Sequence, residues 1–104
     1  MKKSQSNKNI IHFLARRNGP EQDICVLEEM SELQKELMKH RRGKKNRDKI
    51  VDECVDVLLS ISVLLEVYDA SEEEVDKIAE QKLHRLRDLI PKAGSACEAM
   101  YMDD

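Results

Sequence analysis

The hydrophobic positions of this chain recur every three or four residues, which is the spacing of side chains on one face of an α-helix. Four helices are predicted, and the connections between them contain glycine, proline or a run of charges. Their expected bounds are residues 10–17, about 20–40, 48–68, and 71 to the residues before 91. A capping box, Ser71 followed by Glu74, marks the start of the fourth helix. The pattern predicts an all-α fold, in the form of a four-helix-type bundle subunit.

These helices are expected to form one domain over residues 10–90. Residues 1–9 are expected to be a disordered N-terminal arm, and residues 91–104 a flexible C-terminal tail. Between the second and third helices lies a dense basic stretch, HRRGKKNRDK, at residues 40–49. A solvated connection is the usual meaning of such a stretch, and attraction of phosphates is the alternative.

The third predicted helix is apolar around most of its circumference. Its hydrophobic residues are Ile50, Val51, Cys54, Val55, Val57, Leu58, Leu59, Ile61, Leu64 and Leu65. Other helices must enclose such a surface, and a chain of 104 residues cannot easily do so alone. A homo-oligomer with this helix at its centre is therefore predicted. Glu53, Asp56 and Ser60 leave one narrow polar notch in the apolar surface.

Composition and charge exclude several classes of protein. The chain has no Trp, one Phe and a formal net charge of −3, and its basic stretch has no interleaved aromatic residues. A nucleic-acid partner is therefore disfavoured. The longest strongly apolar run, residues 57–65, is far shorter than the ~20 residues of a membrane span. With three cysteines in no metal-binding or paired spacing, a cytoplasmic location and no membrane partner are expected.

Four carboxylates with matched spacing are the main candidate for chemistry. Glu29 and Glu32 lie three residues apart on the second helix, and Glu53 and Asp56 lie three apart on the third. Each pair projects from one helix face, so packing the two helices together brings four negative groups to one place. That arrangement is unfavourable unless a divalent cation lies among them.

An ordinary solvated face competes with this interpretation on the second helix, where Glu28, Glu29, Glu32 and Glu36 all occur. The third helix favours the metal site, because the neighbours of Glu53 and Asp56 are hydrophobic and buried carboxylates are rare unless paired or metal-bound. With oxygen ligands only, Mg²⁺ is expected, or Mn²⁺ in its place. Mg²⁺ commonly shares its ligand shell with phosphates, which indicates a nucleotide or another polyphosphate as substrate.

The fourth helix carries two basic candidates. Lys82 falls within its apolar stripe, and Arg85 lies one turn further along the edge of that stripe. A snorkelling Lys beside a surface Arg is one interpretation. Contact of both cations with the phosphates of the substrate is the other.

The arrangement Glu28-Glu29-x-x-Glu32, followed after twenty residues by Glu53-x-x-Asp56, resembles the signature of the MazG-like, all-α nucleoside triphosphate pyrophosphohydrolases. The resemblance extends from about Pro20 to Ile90 and includes the KLHRLR run. Related dimeric dUTPases and dCTPases share the four-carboxylate arrangement. The resemblance implies hydrolysis of an NTP or dNTP between the α and β phosphates, giving a nucleoside monophosphate and pyrophosphate.

Site residues follow from the same resemblance. Carried over by position, the metal ligands are Glu29, Glu32, Glu53 and Asp56. Glu28 or Glu29 is the expected general base, and Lys82 and Arg85 match the family's basic positions. The short, single-domain members assemble as dimers or tetramers. A catalytically inactive helical interaction module of the same fold is the alternative, and it predicts no dependence on Mg²⁺.

Overall fold

The computed structural model describes residues 2–91, and these residues are helical with no strand. Four α-helices are present: α1 (Gln5–Asn18), α2 (Gln22–Arg41), α3 (Arg47–Val67) and α4 (Glu72–Leu86). Short 3₁₀ turns precede α2 and follow α4. The all-α prediction is confirmed. No described helix has the combination of length and apolar character that spanning a bilayer requires.

The chain divides after Ala70 into two compact units. Helices α1, α2 and α3 belong to the first unit, in which α3 packs along α2 and, over a shorter stretch, along α1. Helix α4 belongs to the second unit. The boundary falls inside the predicted 10–90 domain. Apart from Pro91, the predicted C-terminal tail lies outside the described residues.

Helix α1 begins earlier than the sequence predicted. The Ser4 side chain accepts a hydrogen bond from the Asn7 backbone N–H at 3.1 Å, which caps the first turn. Residues 5–9 are therefore helical, where a disordered arm was expected. The helix ends at Gly19, whose φ of 56° and bond to the Ala15 carbonyl close the last turn.

Two Schellman motifs end the next two helices. After α2, the Gly43 N–H bonds to the His40 carbonyl and the Lys44 N–H to the Lys39 carbonyl. Gly43 has a φ of 99°, a conformation that glycine adopts without steric penalty. After α3 the same pattern recurs with Asp69 at a φ of 55°. Each motif satisfies carbonyl groups that the end of a helix leaves without partners.

A seam of polar contacts runs between α2 and α3. It joins Gln22 to Ser60, Glu29 to Glu53, and Glu36 to Asn46. Along each helix the three positions are seven residues apart, which is about two helical turns. The contacts therefore lie on one line between antiparallel helices, and we call this line the polar seam.

Few hydrophobic side chains are buried around the seam. Among the described residues only Ala15, Val26 and Val63 are buried hydrophobics. Val51, Val55, Leu58 and Leu59 of α3 are between 40% and 50% exposed. The apolar surface that the sequence expected to be enclosed is thus only partly covered in the single chain, and the predicted oligomer stays a prediction.

Candidate metal centre

Three of the predicted ligands converge between α2 and α3. Glu29, Glu53 and Asp56 each offer a carboxylate oxygen, and these oxygens lie within 4.8 Å of one another. Glu29 and Glu53 form the middle contact of the polar seam, and Asp56 lies one turn along α3 from Glu53. Three of the four acids expected to converge thus lie together between the two helices.

Burial differs among the three acids. Glu53 is 6% exposed, whereas Glu29 and Asp56 are half-buried. Partial burial raises the pKa of Glu29, and the negative charges of Asp56, Glu53, Glu32 and Glu28 raise it further. Burial and the neighbouring carboxylates thus act in the same direction on the pKa of Glu29.

Two other predicted residues lie at the margin of the site. Glu32 is exposed and pairs with Lys35 across 3.4 Å, and it is not one of the three converging acids. Glu28 is also exposed. Both still contribute to the raised pKa of Glu29, so they lie close enough for their charges to act on it.

Lys49 is a site residue that sequence reasoning missed. Its Nζ lies 3.0 Å from Glu53 Oε1 and 3.7 Å from Asp52 Oδ2. The hydrogen bond to Glu53 is the largest cause of a raised pKa for Lys49. Lys49 precedes Glu53 by four residues on α3, and this i,i+4 spacing of opposite charges indicates an ion pair on a helix. Within the described residues, no lysine or arginine pairs with Glu29 or Asp56.

Glu36 and Asn46 form a second feature absent from the sequence interpretation. The solvated face considered as the alternative for the second helix does not hold at Glu36, which is only 7% exposed. Asn46 Nδ2 donates to both the backbone oxygen and Oε1 of Glu36, at 2.9 and 3.0 Å, and Lys39 Nζ reaches Oε2 at 3.0 Å. These donors lower the pKa of Glu36, with Asn46 the largest cause.

A third buried polar group lies at the far end of the seam. Gln22 is 3% exposed, accepts from Asn18 Nδ2 at 2.7 Å and donates to the Ser60 backbone oxygen at 3.0 Å. A buried amide satisfied at both ends holds α2 against α3 in a fixed alignment. The carboxylates therefore meet between two anchored ends.

The basic candidates Lys82 and Arg85 lie on α4, in the second unit, and both are exposed. Their assignment to substrate phosphates stays a prediction.

Oxygen atoms are the only donors in the three-acid cluster. That donor set fits Mg²⁺ or Mn²⁺ better than zinc or iron. The raised pKa of Glu29 is consistent with this fit, because burial is its largest cause and a cation would relieve the carboxylate repulsion that adds to it. Comparisons of the chain with protein-family models, with curated proteins and with solved structures found no match.

Proposed function

We propose that this protein is a Mg²⁺-dependent nucleoside triphosphate pyrophosphohydrolase of the MazG-like type. The observation that carries the proposal is the convergence of Glu29, Glu53 and Asp56 within 4.8 Å, across two helices whose other seam contacts are hydrogen bonds. Three acids in one place are costly for a protein that has no use for them. A bound cation would offset the cost of bringing these carboxylates together.

Glu29, Glu53 and Asp56 would hold the ion. Glu32, one helical turn beyond Glu29, is the fourth ligand that the family resemblance implies. Bound Mg²⁺ would supply positive charge against the substrate phosphates and would make a nearby water more acidic. In the proposed reaction, water attacks the α phosphorus, the bond from that phosphorus to the bridging oxygen breaks, and pyrophosphate leaves.

A carboxylate must accept the proton of the attacking water. Of the two candidates, Glu29 is favoured over Glu28, because it lies in the cluster, beside the proposed ion. Glu28 is exposed and outside the cluster. Lys82 and Arg85 are proposed to contact the phosphates, as the family resemblance implies.

A homo-oligomer, either a dimer or a dimer of dimers, is part of the proposal. Its support is the open apolar surface of α3, where Val51, Val55, Leu58 and Leu59 are each at least 40% exposed. Contiguous apolar surface of this kind marks protein contacts more often than free solvent-facing surface.

The function is tested by incubating the protein with a panel of NTPs and dNTPs and measuring pyrophosphate release with and without Mg²⁺. We expect Mg²⁺-dependent release, and Glu53→Gln should reduce it by about 100-fold or more, because a buried ligand charge is lost with little change in volume. Asp52→Asn is the matched control, since Asp52 neighbours Glu53 but its side chain is 64% exposed. Its activity should stay within about twofold of the parent.

Two results of this experiment would contradict the proposed function. Absence of pyrophosphate release across the whole panel, or equal activity of Glu53→Gln and the parent, would remove the assignment.

An inactive helical interaction module is the second candidate. Pairing of Glu53 with Lys49 and of Glu32 with Lys35 favours it, because two of the four acids then have lysine partners of their own. This candidate predicts that Mg²⁺ leaves the melting temperature unchanged. The enzyme proposal predicts a rise with Mg²⁺ concentration, since a ligand that binds only the folded state stabilises it.

A further inference from the structure

An open cavity of about 380 Å³ lies at the turn between α2 and α3. Its walls are His40, Lys45, Asn46, Arg47, Asp48 and Lys49. All six residues come from the basic stretch whose usual meaning is a solvated connection. Here the stretch forms a concave surface, which we call the basic pocket.

The charge of the basic pocket is positive. Three permanent cations line it, and Asp48 is the one acid among them, held 2.9 Å from Arg47. The positive end of the α3 dipole adds to this charge, and no described side chain caps the first N–H groups of α3. Surfaces that combine cations with uncapped backbone N–H groups bind phosphate oxygens.

Buried groups hold the pocket in place. Asn46 is 7% exposed, and its two hydrogen bonds to Glu36 attach the start of α3 to α2. The Schellman motif at Gly43 fixes the path of the chain from α2 into the pocket. The cations are therefore carried by an anchored turn, which lowers the entropy lost when a ligand binds.

Lys49 links the basic pocket to the carboxylate cluster. It lines the pocket, and its Nζ lies 3.0 Å from Glu53 Oε1 in the cluster. Its side chain is 55% exposed, so the ammonium can turn between the two. Lys49, Glu53 and Asp56 follow one another at about one-turn intervals along α3, so the pocket and the cluster are neighbours.

We propose that the basic pocket binds the terminal phosphates of the nucleoside triphosphate, while the carboxylates act at the α phosphate. This inference rests on the proposed function. Lys45, Arg47 and Lys49 would neutralise the pyrophosphate as it leaves, when its negative charge increases. Such a pocket also selects triphosphates over monophosphates, because a monophosphate has no group that reaches it.

Direct binding tests the pocket separately from catalysis. Inorganic triphosphate is titrated calorimetrically into the Mg²⁺-free protein, and KM and kcat for the best nucleotide are measured with Mg²⁺. Lys45→Gln with Arg47→Gln should weaken triphosphate binding about tenfold or more and raise KM by a similar factor. Arg41→Gln with Lys44→Gln is the charge-matched control, because both residues lie in the same basic stretch but outside the pocket wall.

The outcomes separate the two proposals. If both double variants weakened triphosphate binding equally, binding would depend on the overall charge of the basic stretch, and the proposed pocket would be overturned. A parent protein that hydrolyses nucleotides but does not bind inorganic triphosphate would overturn it as well. Tighter binding of a single-stranded oligonucleotide, lost in the Lys45/Arg47 pair, would assign the surface to nucleic acid and also overturn it. Triphosphate binding that depends on the pocket, with no hydrolysis, would support the anion site and reject the proposed function.

Discussion

Glu29 shows how neighbours set the chemistry of a single carboxylate. Partial burial and four nearby acids raise its pKa, so the folded protein binds a proton at this position more tightly than the unfolded chain does. The ionised form therefore costs folding free energy. That cost is fully present above the folded-state pKa and is absent below the unfolded value, for which 4.5 is the reference.

We expect Glu29→Gln to raise the melting temperature of the metal-free protein at pH 7. Glutamine keeps the shape of the side chain and removes one of the crowded charges. The gain should shrink as the pH falls towards 4.5 and below, where Glu29 becomes protonated in the parent. Thermal melts followed by circular dichroism over this pH range measure the effect.

Glu32→Gln serves as the control on the same helix, since its side chain is 54% exposed and pairs with Lys35. It should show a smaller change, because exposed pairs contribute little. A lower melting temperature for Glu29→Gln at pH 7, or an equal gain at pH 4, would contradict the assignment of crowding at this position.

The site was only partly predictable at this scale. Glu53 and Asp56 were identified because apolar neighbours made their exposure implausible, and the structure places both beside Glu29. Lys49 and Asn46 were missed because charged and amide residues next to a turn are usually solvated, and only tertiary packing shows that Asn46 is buried. The hydrophobic pattern of a sequence indicates which face of a helix is apolar. It does not indicate which polar side chains contact the neighbouring helix.

At the scale of elements, the turns after α2 and α3 are built alike but with different residues. Gly43 adopts its φ of 99° without a side chain to clash, whereas Asp69 adopts a φ of 55° with one. Left-handed backbone costs an L-residue roughly 1–2 kcal/mol, somewhat less for Asp. The second turn therefore carries strain that the first does not.

Asp69→Gly is expected to raise the free energy of unfolding by up to about 1 kcal/mol, after allowing for the extra backbone freedom of glycine in the unfolded chain. Gly43→Ala should lower it by about 1–2 kcal/mol, although no described atom lies within 4 Å of the added Cβ. Urea unfolding of both variants measures the two changes. Destabilisation by Asp69→Gly would mean that the Asp69 side chain has a stabilising role that outweighs the strain.

The number and order of helices followed from periodicity, because apolar stripes and caps such as Ser71 are local signals. The start of α1 did not follow, because its first turns carry few apolar residues and depend on the cap at Ser4. Helix ends depend on single hydrogen bonds, which a hydrophobic pattern does not record.

For the whole molecule, the main feature is how little apolar surface the single chain buries. Three hydrophobic side chains are buried among the described residues, while large ones on α1, α2 and α3 are open to solvent. A second copy packed on α3 would cover that surface. The apolar circumference of α3 predicted a homo-oligomer, but which surfaces meet depends on contacts between chains, and periodicity does not record those contacts.

We expect the protein to sediment as a dimer or tetramer at micromolar concentration. Val55→Thr combined with Leu58→Gln should weaken association at least about tenfold, because each apolar side chain buried at an interface contributes about 1.5–3 kcal/mol. Both residues are at least 40% exposed in the single chain, so the helical fold should be retained. Sedimentation velocity over a concentration series, with circular dichroism for folding, measures the result.

Lys35→Gln with Asp52→Asn is the control for association, as both side chains are 64% exposed and lie on polar faces. A parent that sediments at 12.1 kDa at every concentration would reject self-association. If the Val55→Thr, Leu58→Gln variant formed the same oligomer as the parent, the interface would not lie on this surface of α3.

The polar seam restricts how the length of this chain can vary. One residue inserted or deleted between two seam positions of α2 or α3 would rotate every later side chain of that helix by about 100°, so the contacts before and after it could no longer form at the same time. Only a change of length between Glu36 and Asn46 leaves the seam positions of each helix in register. The spacing of the acids can therefore stay constant while the connection that carries the basic pocket varies.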